Sequence, residues 1–330
     1  MALPLVLQNI HSLPFLAPHF VDQVLADGNL KGSEIISSLD LQTQQLVERI
    51  TRQYVKRKAN LAVNNAAVLV VDTKTMQVKA LLGSVNFFDE KIAGQINATA
   101  IKRSPGSTLK PFIYALAMDQ GLIHPKTLLK DVPHHFGSYD PENFDNDFMG
   151  PVNATDALIL SRNIPAIALA DQLKNPSLYQ LLQSVQVTDL KEESYYGLAL
   201  TLGGAELSMQ EIVKLYASLA NHGIWQPLRF DHADYEMRNS KAIFSKEASF
   251  LVLDMLKNSP PPDEVPSTQA LPPPAWKTGT SSGYRDAWTV GVAGPYVIAV
   301  WMGNANNASN PAFIGKELSA PLFFELAMGL

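Results

Sequence analysis

Three short strings follow one another along this chain: Ser107-Thr108-Leu109-Lys110, then Ser161-Arg162-Asn163, then Lys277-Thr278-Gly279-Thr280. Ser107 and Lys110 are spaced so that a helix sets them on one face. A serine hydroxyl is a poor nucleophile until a neighbouring base removes its proton. Lys110 can be that base if its amine is desolvated or stands near another cation. Ser161 and Asn163 add a second hydroxyl and an amide. Lys277 adds a second cation, and Thr278 and Thr280 add hydroxyls on either side of Gly279. The set suits acyl transfer onto Ser107 from a substrate that carries a carboxylate.

Each string also has a plain reading. Ser107 could merely cap a helix, with Lys110 solvated in its first turn. Ser161 and Asn163 lie between two helical patterns ahead of Pro165, where such residues are common caps. Lys277 could be a charge that keeps an edge strand from aggregating. That reading leaves Gly279 unexplained, whereas a missing side chain there lets a substrate backbone approach and add to the strand edge. The order of all three strings favours the catalytic reading.

The elements that must position these residues are legible from periodicity. Residues 1 to about 34 show no sustained period and read as an extended lead-in, followed by a short strand candidate at 35–39. Asp40 is placed to cap a helix whose apolar stripe is Leu46, Val47, Ile50 and Tyr54. Residues 66–71 and 78–82 read as a buried hairpin. Helical patterns cover 111–118, 153–162, 165–173, 176–184 and 208–222. Strands return at 276–281, 286–292 and 296–302, and 318–330 reads as a closing helix. Strands at both ends around a helical middle predict an α+β fold whose sheet is closed by distant segments. The Pro-rich stretch 259–274 reads as a surface loop. Arg285 and Asp286 read as a structural ion pair, and Trp276, Trp288 and Trp301 as sheet packing.

Composition narrows the classes. With 330 residues, 46% hydrophobic and 17% charged, the chain can bury a sizeable core. A net charge of −5 without a long basic run gives no case for nucleic-acid binding. The seven histidines are scattered and no cysteine is present, so neither a zinc site nor a disulfide is expected. The pair His134-His135 reads as loop histidines. No apolar run reaches the roughly 18 residues of a membrane helix.

The three strings resemble the Ser-x-x-Lys, Ser-x-Asn and Lys-Thr-Gly signature of penicillin-binding proteins and class A β-lactamases. RSPGSTLKPF at 103–112, LGGAELS at 202–208 and YASLANHG at 216–223 resemble class A, high-molecular-mass penicillin-binding transpeptidases. QGLIHP at 120–125, YDPENF at 139–144 and GYRDAW at 283–288 resemble the 1C subgroup most. The likeness runs from about Ile35 to about Leu330. Arg162 departs from the small or acidic centre of many relatives and leaves the local charge open. The resemblance implies a central antiparallel sheet flanked by helices, an all-helical lobe, and a site between them. It implies a lead-in over 1–59 with a short strand and a helix, and a transpeptidase domain over 60–330. Such proteins carry a membrane helix and a glycosyltransferase domain ahead of the transpeptidase. Neither is found here, so the chain reads as a piece of a longer protein.

The function implied is that of a peptidoglycan D,D-transpeptidase at the periplasmic face of the bacterial inner membrane. Ser107 would be the nucleophile and Lys110 the base. Ser161 would relay a proton to the leaving amine, and Asn163 would hold the substrate amide and Lys110. Lys277, Thr278 and Thr280 would bind the substrate carboxylate beside Gly279. The backbone N–H groups of Ser107 and Thr280 would form the oxyanion hole. Partners would be stem peptides, β-lactams and the cell-wall synthesis machinery, with the membrane reached only through the parts not found here. No cofactor or metal would be needed. The rivals are a carboxypeptidase or β-lactamase, in which water replaces the acceptor amine, and a non-catalytic β-lactam sensor or scaffold. Fast hydrolysis needs a placed carboxylate, and the acids in the relevant stretch, Glu192, Glu193 and Glu206, lack the Glu-x-x-x-Asn context of β-lactamases.

Overall fold

The computed structural model describes residues 15–26, 34–137, 139–232, 239–265 and 272–330. The helices are α1 (Pro18–Ala26), α2 (Leu41–Arg57), α3 (Lys110–Asp119), α4 (Ala154–Ile159), α5 (Asn163–Gln172), α6 (Leu178–Ser184), α7 (Glu193–Tyr196), α8 (Met209–Ala220), α9 (Lys246–Lys257) and α10 (Ala320–Gly329). The strands are β1 (Ala66–Asp72), β2 (Val78–Leu82), β3 (Leu128–Asp131), β4 (Gly150–Asn153), β5 (Ile224–Trp225), β6 (Lys241–Ala242), β7 (Ala275–Thr280), β8 (Asp286–Ala293) and β9 (Tyr296–Gly303).

The apolar hairpin β1–β2 and the late meander β7–β9 form one antiparallel sheet in the order β2-β1-β9-β8-β7. The two halves join at β1 and β9, in register from Ala66 opposite Met302 to Asp72 opposite Tyr296. β1 reads as an unbroken apolar run because both its faces are buried. Ala67, Leu69 and Val71 enter the core shared with α3 and α8. Ala66, Val68 and Val70 enter the core shared with α2 and α10. The Asp40 carboxylate caps α2 by accepting from the Thr43 N–H at 2.7 Å, and Val47 and Tyr54 are buried on its inner stripe. Ser208 and Glu211 form a capping box that starts α8.

On the other side of the sheet lies the helical lobe. α3 runs through its centre, with eight successive residues from Lys110 to Ala117 buried. A helix enclosed on all sides carries apolar residues all round, so a lysine at its start is held away from water. β7 is an edge strand, as expected, and its exposed edge belongs to the cleft described below.

Three expectations are corrected. Within the lead-in, Pro18–Ala26 is a helix rather than extended chain. Its proline occupies the first helical position, where the missing N–H costs nothing. The strand expected at 35–39 is a single bridge between Ser37 and Asp231. Asp286 does not pair with Arg285: buried, it accepts from the Trp301 indole N–H at 2.9 Å. Residues 1–14 and 27–33 of the lead-in, and residues 266–271 of the Pro-rich loop, lie outside the described residues. The division at residue 59 stands as a proposal, and α2 packs into the same core as β1.

Candidate active site

Ser107 sits in a single 3-10 turn, Gly106–Leu109, that runs straight into α3 at Lys110. Neither the turn nor α3 has a side-chain cap, so Ser107 is not a capping residue. Distant elements clamp this turn. The Trp288 indole N–H on β8 donates to the Ser104 carbonyl at 3.0 Å. The Ser104 hydroxyl donates to the Gly203 carbonyl at 2.9 Å. The Tyr216 hydroxyl on α8 donates to the Thr108 carbonyl at 2.8 Å.

The turn lies directly on the end of β7. Gly106 has φ +52, and a Cβ there would stand 2.6 Å from the Thr280 carbonyl oxygen and 2.9 Å from the Thr280 nitrogen. The backbone of Thr280 therefore lies against the residue that precedes Ser107. A Cβ on Gly279 would collide with the Pro105 carbonyl and approach the Thr108 methyl to 2.8 Å. The serine turn by itself therefore requires a glycine at 279, a reason beyond the substrate approach expected from the sequence.

Lys110 is fully buried. Its Nζ donates to the Ser161 carbonyl at 2.6 Å, the Arg162 carbonyl at 3.1 Å and Asn163 Oδ1 at 2.6 Å. The Ser161 hydroxyl lies 3.4 Å from the same nitrogen. Lys277, also buried, donates to that hydroxyl at 2.8 Å and to the Thr278 carbonyl at 3.1 Å. One hydroxyl thus stands between two buried amines. Burial pushes the Lys110 pKa well below its ordinary value, the charges of Lys277 and Arg162 push it further, and Asp131 opposes them. Burial alone brings Lys277 down to about 7. The plain reading of Lys110 as a solvated first-turn lysine is excluded.

Ser161 has φ +61, a left-handed conformation that costs a non-glycine residue about 1–3 kcal/mol. It turns the chain between α4 and α5, and the resulting carbonyls face Lys110. No side chain caps α5, so the capping reading of this motif fails as well. Asn163 spends Oδ1 on Lys110 and one amide N–H on the Glu142 carbonyl at 2.6 Å, leaving one N–H for a ligand.

The charge left open at Arg162 is resolved. Its guanidinium is buried and donates to Asp131 at 2.7 Å and to Asp145 at 2.6 Å. Burial disfavours its charge, but the hydrogen bonds it donates to Asp145 and Asp131 outweigh that and hold it protonated. The same contact pulls the exposed Asp145 below the usual carboxylate range. Asp131, Asn143 and Asp145 were not foreseen as site residues. The available signal was an arginine inside a motif, which needs a carboxylate, and the acid-rich stretch from Asp131 to Asp147 ahead of it.

A cleft of about 500 Å³ opens between the lobe and β7, lined by Ser107, Ser161, Asn163, Lys277, Thr278 and Thr280 among others. Thr280 Oγ1 accepts from the Gly315 N–H at 3.0 Å, which leaves its own O–H free to donate. Phe144 and Tyr284 meet edge to face across the rim, with ring centroids 6.0 Å apart. Lys110 and Gly279 lie beneath the cleft lining. His134 and His135 are exposed and away from it. A serine that lines the cleft, together with two buried amines that share the Ser161 hydroxyl, is the inventory that acyl transfer with internal proton relay requires.

The penicillin binding protein transpeptidase domain is the family whose model matches residues 66–323. Penicillin-binding protein 1C of Escherichia coli (strain K12) is 34% identical over 311 residues, which is 94% of this chain and 40% of that protein. Penicillin-binding protein 1F of Bacillus subtilis (strain 168) is 29% identical over 259 residues, covering 72% of this chain and 35% of that protein. The chain therefore spans well under half the length of these relatives. The PonA1 protein from Mycobacterium tuberculosis, solved in complex with penicillin V, matches in structure with a TM-score of 0.75 at 19% identity, over 94% of this chain and 91% of that one. That likeness is one of fold, and it agrees with the expected antiparallel sheet and helical lobe.

Proposed function

The chain belongs to the penicillin-binding protein transpeptidase family, and from that premise we propose that it is a peptidoglycan D,D-transpeptidase with Ser107 as nucleophile. The observation that carries the reading is the convergence of Lys110 and Lys277 on the Ser161 hydroxyl in a cleft that also holds Ser107. Neutral Lys110 takes the Ser107 proton as Oγ attacks the carbonyl of the penultimate D-alanine. The backbone N–H groups of Ser107 and Thr280 receive the oxyanion. The proton passes from Lys110 through Ser161 to the departing amine, and the terminal D-alanine leaves. The amine of a second stem peptide then attacks the ester, loses its proton back along the relay, and frees Ser107. Thr278, Thr280 and Lys277 bind the carboxylate of the donor. A β-lactam would acylate Ser107 by the first half of this sequence.

This chemistry belongs at the periplasmic face of the inner membrane, in a longer protein. Among the described residues no helix is long and apolar enough to cross a membrane. Mass spectrometry after incubation with labelled penicillin tests the reading. One label on the peptide containing Ser107, and none in Ser107→Ala, is expected. A label elsewhere would remove Ser107 from its role. D-alanine release that depends on an added acceptor amine separates transpeptidase from carboxypeptidase.

A further inference from the structure

Arg162 is the residue of the three motifs whose charge the proposed reaction leaves unused. Its Nε donates to Asp131 Oδ2 at 2.7 Å and its Nη1 to Asp145 Oδ2 at 2.6 Å, while Nη2 donates to the Asp147 carbonyl. Asp131, on β3, is fully buried. Its other oxygen accepts from Asn143 Nδ2 at 2.8 Å, and Oδ2 also accepts from the Met149 N–H at 3.0 Å. Asn143 in turn accepts from the Asn163 N–H at 2.7 Å. The guanidinium thus closes a ring of bonds through β3, the 142–149 segment and the 161–163 turn. On the opposite side of that turn, three oxygens hold Lys110. The turn is strained at Ser161, so something must hold it, and these two anchors do so from its two sides.

We propose that Arg162 is a positioning residue for Lys110: clamped by Asp131 and Asp145, it keeps the 161–163 turn in the conformation that presents its oxygens to the amine. This rests on the reading of Lys110 as the base for Ser107. The clamp also has an electrostatic consequence. The charged groups acting on Lys110 are Lys277 from β7, Arg162 from the turn before α5 and Asp131 from β3. Tyr114, on α3 itself, and Tyr216, from α8, are buried and neutral. Asp145 lies on the far, solvent side of the guanidinium. Arg162 and Lys277 favour the neutral amine and Asp131 the charged one. On charge alone, removing Arg162 raises the Lys110 pKa and removing Asp131 lowers it.

The test is single-turnover acylation of the whole chain by a labelled penicillin between pH 6 and 10. The proteins are wild type, Arg162→Gln, Arg162→Lys and Asp131→Asn, with circular dichroism as the check on folding. A wild type that forms no Ser107 adduct would sink the underlying reading before the clamp is tested. With an adduct formed, Arg162→Gln should acylate about tenfold more slowly at pH 7, with the acid limb of its profile moved about one unit to higher pH. Asp131→Asn should move that limb to lower pH. Arg162→Lys keeps the charge but not the two-pronged geometry, so its limb should stay near wild type while its rate stays low. Limbs that do not move, or that move the same way in Arg162→Gln and Asp131→Asn, would overturn the proposal. If Arg162→Gln does not fold, the Asp131→Asn and Arg162→Lys profiles decide it by the same criteria.

Discussion

Replacing Lys277 by methionine should make this protein more stable and less active, with a pH dependence that identifies the cause. Burial lowers the Lys277 pKa from 10.5 to about 7. At about 1.4 kcal/mol per pH unit, that corresponds to about 4–5 kcal/mol against the charged form in the folded state. The sign follows from proton counting. The unfolded chain binds the extra proton up to about pH 10.5 and the folded one only up to about 7. The penalty is fully present below about pH 7 and is relieved as the pH rises towards 10.5. Methionine fills similar space without the charge, but it gives up the bonds to the Ser161 hydroxyl and the Thr278 carbonyl. Each contributes about 1 kcal/mol net. Lys277→Met should therefore gain about 2–3 kcal/mol at pH 6. It should lose the advantage near pH 9 and fall below wild type above that, on the same magnitudes. Loss of the repulsion on Lys110 acts in the same direction. Urea unfolding of both proteins at pH 6, 7.5 and 9 measures this, alongside penicillin acylation, which should fall sharply. A stability difference that stays constant from pH 6 to 9, or a destabilised variant at pH 6, would refute the argument.

Thr278 lines the cleft, so Thr278→Val removes a cleft hydroxyl at nearly constant shape. A lost charge-assisted hydrogen bond of about 1.5–3 kcal/mol should lower acylation efficiency on the order of 10- to 100-fold for carboxylate substrates. A methyl-ester analogue should lose far less, and equal losses would point to packing. Gly279→Ala should push the serine turn off β7 and destabilise by about 1–3 kcal/mol. It should slow acylation although Gly279 is not part of the cleft lining, and an unchanged rate would show that the turn tolerates displacement. The penicilloyl adduct should last many minutes to hours. Glu192, Glu193 and Glu206 lie outside the cleft lining; of the two acids that do line it, Asp145 is tied to Arg162, and Glu317 is exposed and has Pro321 rather than Asn four residues later. Turnover of a chromogenic cephalosporin at several per second would move the protein to the hydrolases.

The sequence by itself determined the features written in local pattern and turn chemistry. Apolar runs bounded by turn residues placed β1, β2 and the late meander, and the 3.6-residue stripe behind Asp40 placed α2. The order of the three motifs pointed to Ser107, Lys110, Ser161, Asn163 and Lys277 before any contact was known. The helix at Pro18 was missed because proline reads equally as a start signal and a breaker. Tertiary structure decided what depends on distant partners. Lys110 stands in the first turn of a helix, where a lysine is ordinarily solvated, and only the surrounding lobe buries it and lowers its pKa. Gly279 is required by a turn more than 170 residues earlier, whose approach no strand pattern encodes. Arg162 looked like an anomaly until Asp131 and Asp145 stood beside it. Periodicity reports which face of an element is buried. Which charges share that buried space, and so how each titrates, is a property of the assembled fold.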